Sequence, residues 1–145
     1  MAAIGTNWRA LQYASELLRS DRDVVWLAVT KDGLALWYAA KCFTEDKPMV
    51  MAAVKQNGLA LAFAAMRFQR DSAVVLASVK QNGQALQYAG EAPRDDKDTV
   101  RLALKATPHT LSYASQRLQE LDEFEYSRRW IRSWGPGEGG MPSVD

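Results

Sequence analysis

The chain has 145 residues, 48% of them hydrophobic and 24% charged, which suits one globular domain and argues against wholesale disorder. A net charge of +1 gives no bulk electrostatic attraction to nucleic acid or to an anionic membrane. The single cysteine, Cys42, excludes an internal disulfide framework and any multi-thiolate metal site; it is compatible with a reducing compartment, cytoplasm or organelle interior, without fixing one. Charge breaks every apolar run within about ten residues, so no transmembrane segment is expected. Met1–Trp8 has neither the basic nor the apolar stretch of a signal peptide.

In chain order, one phrase dominates. Ala53–Leu61 reads Ala-Val-Lys-Gln-Asn-Gly-Leu-Ala-Leu, and it returns 25 residues later as Ser78–Leu86, with looser copies at Ala28–Leu36 and Ala103–Leu111. Gly33, Gly58, Gly83 and Pro108 keep the same 25-residue spacing, as do Asp21, Asp46, Asp71 and Asp96. Tyr13, Tyr38, Phe63, Tyr88 and Tyr113 hold an aromatic in one slot, each followed by alanine. A fixed period over matched copies is the mark of a tandem repeat. The expected fold is all-α, an α-solenoid-like array of 25-residue helix pairs with a C-terminal capping helix.

Each unit is expected to start with its aspartate as N-cap. Val25, Val50, Val75 and Val100, with Val29, Val54, Val79 and Leu104 four residues on, would form the buried face of a first helix. Lysine near its end suits the negative pole of the helix, and the glycine is expected to take a left-handed C-terminal conformation. Leu36, Ala39 and Phe43 then mark a second helix, with Leu61, Ala64 and Phe68, and Leu111, Ala114 and Leu118, as equivalents. Gly90 and Pro93 should stop that helix early in the third copy. In the fourth, Thr107-Pro108 replaces Asn-Gly and fits an N-cap and N1 proline.

The repeat domain is expected over residues 8–121, about four and a half units. Trp8–Asp21 supplies only the second half of a unit, which leaves a face expected to be covered by Met1–Asn7, a partner, or a segment lost by processing. Residues 122–134 are expected to form the capping helix, with Phe124, Ser127, Ile131 and Trp134 on one side and Arg128, Arg129 and Arg132 on the other. Residues 135–145 are a Gly/Pro-rich tail.

The unit Asp-x3-Val-x3-Val-Lys-Gln-Asn-Gly-x-Ala-Leu-x-Tyr-Ala resembles the tandem repeat of the domain of unknown function 4116 family, over about Trp8 to Leu121. The resemblance implies an all-helical repeat domain. It implies no reaction, because the family carries no assigned catalytic residues. The fourth copy departs from the pattern at Ala106–His109.

Candidate chemistry is sparse. His109 has no second histidine to share a metal, and no oriented partner for acid–base work can be read. Cys42 has no readable histidine partner to activate it. The glycines of residues 135–140 lack the Lys-Ser/Thr ending of a phosphate loop. The aspartate ladder is explained by capping. No enzyme activity, metal or cofactor is therefore expected.

The rows that vary between copies say more. Trp26, Met51, Leu76 and Arg101 are equivalent; so are Trp37, Ala62, Gln87 and Ser112, and Lys41, Met66, Glu91 and Gln116. Large apolar residues gather in the N-terminal half, so Trp26, Trp37, Met51 and Met66 form a candidate apolar partner-binding patch. Arg128, Arg129 and Arg132 beside Trp130 are a second candidate docking surface. The expected function is a non-catalytic protein–protein interaction scaffold or accessory subunit of a multi-subunit complex, an organellar complex being one natural host. The alternative is a nucleic-acid-binding helical repeat, with Lys55, Lys80 and Lys105, flanked by Gln56, Gln81, Asn57 and Asn82, as its contacts.

Overall fold

The computed structural model describes residues 8–121 and 124. Those residues are all-helical, with no strand among them. Four ten-residue α-helices, Arg22–Lys31, Lys47–Gln56, Ser72–Gln81 and Lys97–Ala106, recur at the sequence period. Each begins where an aspartate caps it: Asp21 accepts from Asp23 N at 2.9 Å, Asp71 from Ala73 N at 2.9 Å, Asp96 from Thr99 N at 2.9 Å and Asp46 from Met49 N at 3.3 Å. The buried set in the first helix is Val24, Val25, Ala28 and Val29, a spacing that places all four on one face. In the third helix Ser78 takes the small-residue slot, and its hydroxyl donates to Val74 O at 2.7 Å, so the buried polar atom is satisfied.

The second half of each unit is not the continuous helix expected from the Leu-Ala-Phe stripe. It is a six-residue 3₁₀ helix followed by a separate four-residue α-helix: Gly33–Tyr38 then Lys41–Thr44, Gly58–Phe63 then Met66–Gln69, Gly83–Tyr88 then Glu91–Arg94, Pro108–Tyr113 then Gln116–Gln119. Between them Ala39, Ala64, Ala89 and Ala114 are extended, with ψ from 152° to 162°. The break frees an amide that bonds to the preceding unit. Ala40 N donates to Arg19 O at 3.0 Å, Ala65 N to Thr44 O at 3.0 Å, Gly90 N to Gln69 O at 2.7 Å and Ser115 N to Arg94 O at 2.8 Å. Gly90 and Pro93 therefore do not shorten the third copy; Pro93 is buried in the slot that Phe43, Phe68 and Leu118 fill elsewhere.

Each long helix contacts the next, each 3₁₀ helix contacts the next, and the two rows contact each other. The core lies between the rows. Leu36, Leu61 and Leu86 are fully buried in it, each burial contributing about 1.5–3 kcal/mol relative to exposure. Phe124 is also buried, its amide donating to Leu121 O at 3.0 Å. The rest of the expected capping helix and tail, with Arg128, Arg129, Trp130 and Arg132, lies outside the described residues. No described helix is long and apolar enough to cross a membrane.

The glycines also differ from expectation. None of Gly33, Gly58 and Gly83 has a positive φ. Each instead presses against a carbonyl of the following long helix, where a Cβ would overlap Ala53 O, Ser78 O and Ala103 O respectively. Asp32, Asn57 and Asn82, just before them, are N-caps of the 3₁₀ helices, accepting from Leu34 N at 2.9 Å, Leu59 N at 3.1 Å and Gln84 N at 3.0 Å. Thr107 precedes the 3₁₀ helix Pro108–Tyr113 without a side-chain capping bond, and Pro108 opens it.

Candidate functional site

In the Val-Lys-Gln-Asn-Gly phrase the valine and glycine are buried while the lysine is exposed. Gln56 reaches back one unit: its Oε1 accepts from Gly33 N at 2.7 Å and its Nε2 donates to Lys31 O at 3.0 Å. Gln81 Oε1 accepts from Gly58 N at 2.5 Å. These glutamines and the capping asparagines hold backbone, so the polar side chains flanking the lysines do not form a free reading row. Lys55, Lys80 and Lys105 are exposed. Lys55 and Lys80 line a shallow groove of about 440 Å³ with Ala77 and Gln81.

The four apolar candidates fall in two places. Trp26, 40% exposed, and the half-buried Met51 lie in one row of the long helices, continued by the exposed Leu76 and Arg101. Trp37 lies on a 3₁₀ helix and is 64% exposed, and Met66, 67% exposed, opens a short helix. Trp37 packs on Phe63 of the next unit, ring centroids 5.0 Å apart and tilted by 50°. Tyr13 and Leu17 are also strongly exposed, and were not among the expected surface residues. Their positions in the repeat were legible, but their exposure depends on what packs beside the first half-unit.

Charge is organised along the unit junctions. Arg22 pairs with Asp46 at 3.0 Å and Lys47 with Asp71 at 2.7 Å, so two capping carboxylates also bind the preceding unit. The Lys47 ammonium donating to Asp71 holds that carboxyl below the usual carboxylate range, against a smaller opposing effect of burial. Arg117 reaches Asp95 with Nε at 3.0 Å and one terminal nitrogen at 2.8 Å, and also bonds the Asp95 carbonyl at 3.1 Å. Ser115 Oγ completes the set. Arg117 first, then Ser115, lowers the Asp95 pKa, and Asp95 raises that of Arg117. No group of three or more metal-ligating side chains occurs among the described residues. His109 is half-buried and Cys42 is an exposed free thiol.

The family described as Domain of unknown function (DUF4116) matches residues 1–43 and 46–93. The chain belongs to this family. The match ends one residue before the end of the short helix Glu91–Arg94, so the DUF4116 pattern covers the Trp26, Trp37, Met51 and Met66 positions together with Lys55 and Lys80. A search of curated proteins found no match, and neither did a search of solved structures.

Proposed function

We propose that this chain is a non-catalytic protein–protein interaction scaffold or structural subunit of a larger complex, its 25-residue units stacked as an α-solenoid-like array. The carrying observation is Trp37. A tryptophan 64% exposed on a well-packed helix, seated on Phe63 of the next unit, offers a rigid apolar anchor of the kind that dominates interface energetics. Met66 and the Trp26–Met51–Leu76 row add exposed apolar area on the same chain. The test is the native mass of the protein in a gentle extract of its source, beside the purified chain. Co-migration with a large assembly is expected, and a monomer near 16.2 kDa in both samples would overturn the reading.

One observation favours a second reading, nucleic-acid binding. Lys55, Lys80 and Lys105 are exposed at one-unit intervals, and no ion pair holds any of them among the described residues. Binding to single-stranded RNA that weakens steeply with salt would support it. Salt-independent or absent binding would remove it.

A further inference from the structure

Each junction between short helices is asymmetric: the later unit offers an amide and the earlier unit a carbonyl. The amides of Ala40, Ala65, Gly90 and Ser115 donate to the carbonyls of Arg19, Thr44, Gln69 and Arg94. Ser15 holds the same slot one period earlier, and among the described residues its amide has no acceptor in another unit. Two side-chain slots repeat the asymmetry. Phe63 receives the Trp37 ring of the unit before it. Arg67 and Arg117 reach the turn of the unit before them, at Glu45 and Asp95.

In the first half-unit these two slots hold Tyr13 and Leu17. Tyr13 is 86% exposed, whereas Tyr38, Phe63 and Tyr113 of the same row are half-buried and Tyr88 is 37% exposed. Leu17 is strongly exposed, in a row that continues as Cys42, Arg67, Ala92 and Arg117. Amide, ring and leucine thus present to solvent the side of a unit that elsewhere in the chain lies against a preceding unit. The opposite end carries the matching side. Ser112 stands in the slot of Trp37, Gln119 in that of the accepting carbonyls, and Glu120 in that of Glu45 and Asp95; Ser112 and Glu120 are exposed.

We propose that the N-terminal half-unit docks on a second copy of this chain, head to tail, with Pro108–Gln119 of one copy lying against Trp8–Arg19 of the next. Among the described residues, the surface that receives this side of a unit is the outward side of the unit before it, so the contact continues an interface the chain already makes within itself. In that register Ser15 N donates to Gln119 O, the Tyr13 ring seats at Ser112, and Leu17 lies over the turn at Glu120. Two N-terminal edges facing each other would set amide against amide and leave both Ser15 donors unmet. Because the contact joins unlike surfaces, a pair of copies does not satisfy it, and it propagates into a ring or a filament. This inference rests on the reading of the chain as a stacked interaction scaffold and names a second copy as one of its partners.

The test is the mass of the full purified chain by sedimentation as its concentration rises to millimolar. The mass should climb past that of a dimer. Tyr13→Ala should demand about tenfold more protein for the same mass. Leu17→Asp, which sets a carboxylate beside Glu120, and Ser112→Glu, which sets one beside Tyr13, should each give a monomer. Both positions are exposed, so the circular dichroism of either variant should remain helical. Mixed one to one, the two variants should pair and stop at a dimer, since each retains the edge the other has lost. Leu17→Arg should strengthen assembly and make it salt-sensitive, because it recreates the Arg117–Asp95 relationship with Glu120. A strictly monomeric chain, a dimer that Ser112→Glu leaves intact, or loss of assembly by Leu17→Arg would each overturn the proposal. A chain that stays monomeric when purified yet co-migrates with a large assembly in extracts would keep the scaffold reading and lose the self-docking.

Discussion

Gly58 lies so close to the Ser78 carbonyl of the next unit that a side chain between them would overlap the oxygen. The same relationship joins Gly33 to Ala53 and Gly83 to Ala103. Among the described residues no further long helix follows to press on Pro108, and there the glycine is absent. Gly58→Ala should therefore destabilise the chain by about 2–3 kcal/mol through overpacking, whereas Pro108→Ala should cost less than about 1 kcal/mol. Urea unfolding of the two variants measures both. Equal midpoints would show that the close approach is not what requires glycine.

The glutamine of the repeated phrase should matter more than the lysine beside it. Gln81→Leu leaves the buried Gly58 amide without its acceptor, an expected loss of about 1–3 kcal/mol. Lys80→Ala removes an exposed side chain and should stay within about 0.5 kcal/mol. Thermal unfolding of the pair distinguishes a clasp between units from a surface residue, and a reversed order would contradict the clasp.

Acid sensitivity should pass through Asp71. Its carboxyl is held below the ordinary value of 3.8 by Lys47 in the folded chain. The unfolded chain then binds the proton first as pH falls, so the contribution is complete above the unfolded value and is lost as pH drops through the lower folded value. Lys47→Ala should shrink the fall in urea midpoint across that acidic window and leave a small change at neutral pH, since exposed pairs contribute about 0–1 kcal/mol. Parallel pH profiles for the two proteins would remove Lys47 as the cause.

Trp37 should separate folding from association. Its exposure means that Trp37→Ala gives up its packing on Phe63, an expected cost of about 0.5–1.5 kcal/mol. On the scaffold reading proposed above, the variant should no longer co-migrate with an assembly in extracts while its circular dichroism remains helical. Retained co-migration would move the docking surface away from this face.

Much of this protein was legible residue by residue. The 25-residue period is read by comparing copies, whereas the aspartate caps, the valine face of the long helices and the buried Leu61 and Leu86 depend on spacings within one copy, which local helix geometry determines. The apolar surface candidates were legible as variable positions, though not their division between the long helices and the 3₁₀ row. What only the tertiary structure decided involves partners some 20 to 25 residues away. Where the second helix breaks, the freed amides of Ala40 and Ala65 bond to the preceding unit. Gln56 clasps the unit behind it, and Gly58 yields to the unit ahead. Periodicity records which residue is buried; a hydrogen bond between neighbouring copies is set by how those copies are stacked, and no pattern within one copy contains that distance.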